Sequence, residues 1–339
     1  MLTAPRRLLT LLVTALLLVA TFGDAAYAEP TPGADEDGGQ NLTVRQALDK
    51  ATSEYNDAKG RLDKSVADQT ALNDQVTKTQ ARLTDLQTNA GAIASAAYRG
   101  RRISMINVIV GAQDADDMMH NMVTIEYLAQ LENDQLHEVL IAQQQLDQQK
   151  KDIDAAVSNQ QAQLKIMEAN KKTAEDALRK AGGGADAGSG APSGGKVTTN
   201  AVARNSDGSY PKEGCTGDDP TTSGCQSPRT TNMYNEARKA GYTHYTSCYR
   251  SGGGGDHPLG KACDFSANAS TFVNARATGS DKTYGDNLAA WALANAKNLG
   301  IKYVIWYKRI WQPSSGWKSY GGDGTPAGDH YNHVHISMQ

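Results

Sequence analysis

Apolar positions recur every seven residues along the first half of the chain: Leu48, Tyr55, Leu62, Gln69, Val76, Leu83, Ala90 and Ala97, with Gln69 as the polar exception. A second set runs three residues behind, at Ala51, Ala58, Ser65, Leu72, Thr79, Leu86 and Ile93. This spacing predicts a helix with an a/d seam, weak in places. A second seam opens at Met118 and steps by threes and fours through Met122, Ile125, Ala129, Glu132, Leu136, Val139, Gln143 and Leu146, then Lys150, Ile153, Val157, Gln160, Leu164 and Met167. Between the two seams lies YRGRRISMINVIVGAQDADDMM, residues 98–119. Gly100 and Gly111 interrupt the helix there, and residues 103–110 are too apolar for an open loop. The pattern predicts an antiparallel helical-hairpin coiled coil over residues 41–181 with a folded tip. Its arms should reach roughly 75–90 Å at the helical rise per residue.

The pattern changes after residue 181. Residues 182–199 open with GGGADAGSGAPSGGK, which reads as a flexible Gly/Ser/Ala linker. Residues 200–339 are enough to bury a core of their own. In this part, residues 231–240 read as a helix stopped by Gly241. Residues 287–298 read as an amphipathic helix stopped by Gly300, and residues 301–306 as a buried strand. Trp306, Trp311 and Trp317 should wall a cleft or the core. Helices with a small antiparallel sheet make the domain α+β.

The N-terminus reads as an address. Arg6 and Arg7 precede an apolar run over residues 8–20, too short for a normal membrane span. Ala26-Tyr27-Ala28 then offers a small-x-small cleavage site. Residues 1–28 are expected to be a signal peptide, and residues 29–40 (EPTPGADEDGGQ) a disordered linker. An exported chain with four cysteines, all between residues 215 and 263, most simply forms two disulfides. A formal net charge of −3 with no Lys/Arg cluster gives no reason to expect nucleic acid as a partner.

Chemistry concentrates in two segments. YTSCYRSGGGGDHPLGKACDFS, residues 245–266, holds His257 and, seven residues on, Asp264. GDHYNHVHIS, residues 328–337, holds His333 and His335. On a strand, residues i and i+2 share a face, so both histidines can enter one site while Val334 and Ile336 pack inward. Two histidines and an aspartate are a plausible catalytic zinc set, with a fourth position left for water. The run Gly252–Gly255 lacks the following Lys-Ser/Thr and helix of a phosphate loop.

S-x-x-R, then H-x(6)-D, then H-x-H resembles the D-alanyl-D-alanine carboxypeptidase, lysostaphin and hedgehog-type zinc peptidase superfamily, closest to the carboxypeptidase branch. The resemblance spans most of residues 205–339. It implies His257, Asp264 and His335 as zinc ligands and His333 as an assistant at the water or oxyanion. It implies Arg250 as the holder of a substrate carboxylate or carbonyl, since a guanidinium can bind a carboxylate in two places. The coiled coil, through the order helix, AYRGRR, apolar run, DADDM, helix, resembles those preceding hydrolase domains in secreted bacterial cell-wall enzymes. Some of those are controlled by an ABC-type membrane complex, so the tip has a candidate partner. Together the resemblances imply a secreted or wall-associated zinc metallopeptidase acting on peptidoglycan stem peptides, as a D,D-carboxypeptidase or endopeptidase. The coiled coil would position or regulate it.

One position departs from the pattern. The carboxypeptidase branch carries a Glu or Asp three residues before the last ligand, and this chain has Asn332. Three readings follow: His333 is the base, Asp329 or His330 reaches the water, or the domain binds wall peptides without turning them over, as an adaptor. A Cys248–Cys263 bridge would tie the Arg250 turn to the Asp264 strand, at roughly 3 kcal/mol in the chain-entropy model. Cys215–Cys225 would close a smaller loop. The sequence alone does not fix the connectivity.

Overall fold

The computed structural model describes residues 42–339 except 97, 99–110, 113 and 189. The expected signal peptide, the disordered linker and most of the hairpin tip lie outside the described residues. Two long helices, α1 (Leu42–Ala96) and α2 (Ala115–Lys180), pack against each other over most of their length. At 55 and 66 residues they run about 80 and 100 Å. The helical seams meet in antiparallel order. Leu83 packs on Ala142 and Leu146, and the polar break is matched across the seam by Gln160 Nε2 donating to Gln69 Oε1 at 2.9 Å. Asp114 caps α2, its side chain accepting from Asp117 N at 2.8 Å.

The C-terminal part is α+β. Strands β1 (Gly217–Asp218) and β2 (Cys225–Gln226) pair as a small ribbon. Helix α3 (Pro228–Lys239) follows, started by Ser227, which accepts from Thr230 N, with Pro228 in its first turn. Helix α4 (Gly279–Leu299) begins well before the expected residue 287. Its first turns carry little apolar periodicity, and Gly285 is what lets them approach the sheet: a Cβ there would stand 2.3 Å from the Trp306 ring. Strands β3 (Thr246–Ser247), β4 (Ala262–Ser266), β5 (Ile301–Trp306), β6 (Arg309–Gln312), β7 (Gly316–Ser319) and β8 (His333–Met338) form one antiparallel sheet in the order β3-β4-β8-β5-β6-β7. The last strand in sequence is therefore central. Both disulfides form as expected, Cys215–Cys225 and Cys248–Cys263.

Alternation along β8 divides its side chains between two faces. Val334, Ile336 and Met338 join Phe265, Leu288, Trp291, Leu299 and Trp306 in a core beneath α3 and α4. The opposite face carries Tyr303, Ile305, Ile310 and Tyr320, and it is covered by the base of the coiled coil through Leu48, Ala51, Ala174, Ala177 and Leu178. Leu178 is fully buried there, worth about 1.5–3 kcal/mol. Residues 182–199, expected as a flexible connection, are laid along the domain. Gly184 N and Ala187 N donate to Ser319 O and Trp317 O of β7, Trp317 Nε1 donates to Pro192 O, and Thr198 and Thr199 bond Asn295 of α4. Glycine-rich composition conceals this, because the contacts are made largely by backbone. Among the described residues no helix is long and apolar enough to cross a membrane.

Candidate metal centre

The face that receives the coiled coil also carries the chemistry. Asp264 on β4 and His335 on β8 are register partners, and Ser266 faces His333 two pairs further on. His257 comes from the loop between β3 and β4, beneath which the Cys248–Cys263 bridge passes. The three sequence-predicted ligands converge. His257 Nε2 lies 3.1 Å from His335 Nδ1 and 3.2 Å from Asp264 Oδ2, and His335 Nδ1 lies 2.8 Å from Asp264 Oδ1. All three are buried.

The outer hydrogen bonds fix which nitrogens face inward. Cys248 O can only accept, so His257 Nδ1 carries the proton given to it, and Nε2 presents a lone pair to the cluster. Ser337 Oγ sits 2.8 Å from His335 Nε2, and its hydroxyl also acts on Asp256 and Tyr303. With its proton given to Asp256, the Ser337 hydroxyl receives from His335 Nε2–H. His335 Nδ1 therefore also presents a lone pair. Two imidazole lone pairs and a carboxylate facing one another about 3 Å apart repel unless a proton or a metal cation lies among them. Ligand atoms around a tetrahedral zinc at ~2.0–2.1 Å stand about 3.3 Å apart. The donor set, its spacing and the oxygen acceptor behind each imidazole thus fit a zinc ion.

His333 and Arg250 complete the cluster. Asn332 Nδ2 donates to Val273 O at 2.8 Å, which turns its Oδ1 toward His333 Nδ1 at 2.7 Å. His333 Nδ1–H is thereby engaged, and Nε2 is directed at Asp264 Oδ1, 3.6 Å away. Arg250 Nη1 bonds Asp264 Oδ2 at 2.8 Å, and its side chain, 36% exposed, is the part of the cluster that solvent reaches. Burial by itself would raise the Asp264 carboxyl, but in the metal-free site His257 and His333 in their protonated form, with Arg250, hold it well below its usual value. Of the other candidate bases, Asp329 is tied to Lys308 Nζ at 2.9 Å and to Gly324 N. The His330 ring lies 4.6 Å from that of His333 and packs on Tyr320.

Several positioning residues were not read from the sequence. Ser337 is one, although it follows His335 on the same face of β8. Asp256, next to His257, is bound by the buried Lys302, which also meets Asp49 of α1 at 3.4 Å. Burial disfavours the Lys302 charge, yet Asp256 and Asp49 outweigh it and raise the ammonium above its usual value. Arg45 of α1 packs on Gly255, where a Cβ would stand 2.7 Å from its guanidinium. Tyr303 stacks on His335 with ring centres 5.7 Å apart. Asp219 accepts from Thr221 N, Thr221 Oγ1, Thr222 Oγ1, Gln226 Nε2 and Tyr249 N at 2.6–2.9 Å. It thereby fastens the Cys215–Cys225 loop to the turn that carries Arg250.

A family described as "VldE, C-terminal domain" matches residues 222–331, about a third of the chain. The match includes Arg250, His257 and Asp264 and stops before His333 and His335. No curated protein matches the chain, and no solved structure does.

Proposed function

We propose that the chain is an exported zinc metallopeptidase that cuts peptidoglycan stem peptides, regulated by its own coiled coil. The observation that carries this reading is the convergence of His257, Asp264 and His335, all buried, with ligand atoms within 4.8 Å of one another. The resemblance of the S-x-x-R, H-x(6)-D and H-x-H motifs to the D-alanyl-D-alanine carboxypeptidase branch supplies the substrate class. When bound, zinc would lower the pKa of a water in its fourth position and polarise a peptide carbonyl. His333, oriented by Asn332, offers Nε2 to take that water's proton, which supplies a base where the branch has a carboxylate. Arg250, at the solvent side of the cluster, is placed to meet a substrate carboxylate.

Regulation is supported by where the coiled coil lies. Arg45 and Asp49 of α1 contact the loop and strand beside His257, and the ligands are nearly closed to solvent. Substrate access would require α1 to shift. The distal part of α2 exposes Met118, Met119, Met122, Val123 and Tyr127, which suits docking of a partner at the tip. The two disulfides agree with export.

The test is digestion of a stem pentapeptide ending in D-alanyl-D-alanine by the zinc-supplemented full chain and by an Arg45→Ala, Asp49→Ala variant, read by mass spectrometry. Release of D-alanine or of an internal fragment, faster in the variant and absent in His333→Ala, is expected. A second reading, a wall-binding adaptor without turnover, is favoured by Asn332 alone. Binding of the pentapeptide without any product from either protein would select it.

A further inference from the structure

A second cleft, of about 580 Å³, opens beside the β5–β6 turn, outside the candidate metal centre. Arg276, Lys282, Tyr307, Lys308, Arg309 and Tyr331 are among its lining residues, four cations and two phenol rings, together with Asp186, whose carboxylate is paired with Lys318. The Lys282 and Lys308 ammonium groups are each paired, with Asp286 at 2.6 Å and Asp329 at 2.9 Å, and each keeps further N–H donors. Arg276 differs. Its Nε donates to Tyr307 Oη at 2.9 Å, and its guanidinium lies 4.5 Å and 4.3 Å from the centres of the Tyr307 and Tyr331 rings. The groups that act on its charge are these two phenols, and no carboxylate among the described residues pairs with it. The exposed guanidinium is thus braced by two rings, and among the described residues its terminal N–H fork has no carboxylate partner.

The backbone of the turn points the same way. Tyr307 and Lys308 form a two-residue hairpin turn between paired Trp306 and Arg309, with φ of 56° and 59°. Such a turn favours Asn-Gly or Gly-Gly, because side chains at positive φ are strained. Here both strained positions carry large side chains, and both side chains line the cleft. The strain is retained where the cleft gains a ring that seats Arg276 and an ammonium beside it.

We infer that this cleft is a phosphate-recognition site, with the Arg276 fork binding two phosphate oxygens and the Lys282 and Lys308 ammonium groups meeting the remaining charge. Several cations around one fork suit a phosphate better than a carboxylate, which has two oxygens and a single charge. The volume exceeds what a bare oxyanion needs, so the phosphate would be carried on a polyol or sugar. It could be a free monoester or a phosphodiester unit of an anionic polymer. The inference does not depend on the metal centre or on peptide cleavage.

Calorimetric titration of the full chain with glycerol 3-phosphate, with a glycerol-phosphate diester oligomer and with acetate tests it. Saturable binding of either phosphate ligand, weakened about tenfold or more in Arg276→Gln, is expected from loss of a charge-assisted pair. Lys171→Gln, an equal charge change on exposed α2, should alter it by less than about twofold. Arg276→Lys keeps the charge without the fork and should lose several-fold, which guards against a folding defect in the glutamine variant. Preference for monoester or diester then names the source of the phosphate. No saturable binding, equal binding of acetate, or equal losses in the Arg276 and Lys171 variants would overturn the inference.

Discussion

Ser337→Ala probes the tautomer argument at a position that contacts no metal. In the assigned tautomer Ser337 Oγ, 2.8 Å from His335 Nε2, receives that N–H while its own proton goes to Asp256. His335 is fully buried, so alanine leaves that N–H without an acceptor, at about 1–3 kcal/mol. The ring can escape by moving its proton to Nδ1, which then donates to Asp264 Oδ1, 2.8 Å away. That escape stabilises the metal-free protein and removes the lone pair the metal needs. Zinc affinity should therefore fall about 10–100-fold, or roughly 1.4–2.8 kcal/mol, with little change in overall stability. Competition with a chromophoric zinc chelator measures this directly, and Ser337→Thr, which restores the hydroxyl, should recover most of the loss. An affinity for Ser337→Ala within twofold of native, or equal losses for alanine and threonine, would refute the tautomer argument.

Other perturbations test the surrounding supports. Lys302→Met leaves Asp256 and Asp49 buried without their cation and should destabilise by about 3–5 kcal/mol in chemical denaturation; a change under about 1 kcal/mol would mean that water reaches the pair. Asp219→Asn replaces a carboxylate with an amide among five donors and should cost about 3 kcal/mol at neutral pH. Burial opposes the Asp219 charge, but the bonds from Thr222, Thr221 and Tyr249 prevail and lower its carboxyl below the usual value. The native advantage over Asp219→Asn is accordingly present above the ordinary carboxylate pKa and should shrink as pH falls through the lowered one. An advantage that stays constant into acid would contradict this assignment. Gly285→Val should disrupt the approach of α4 to Trp306 and lower the thermal midpoint by several degrees in circular dichroism.

Much of this architecture is legible in the sequence where a period enforces it. The heptads give the hairpin, and Gln69 and Gln160 stand in the two seams that the structure pairs. The alternation His333, Val334, His335, Ile336 separates site from core as the strand requires. What escapes has no period. The base of α1 looks like any other stretch of the seam, yet Arg45 and Asp49 serve the domain rather than the hairpin. Lys302 acts through Asp256, 46 residues away, and Asp219 reaches the Arg250 turn through Tyr249, 30 residues away, so no local spacing marks what they do for the site. Ser337 was within reach, since i+2 from His335 places it on the same face. Asn332 reads as a missing acid until its two hydrogen bonds show it orienting His333.

The most direct test of the central claim is the zinc content of the purified full chain, by mass spectrometry of the metal, beside His335→Ala. The account predicts close to one zinc per native molecule and none retained by the variant after the same dialysis. Native protein carrying no more zinc than His335→Ala would contradict it.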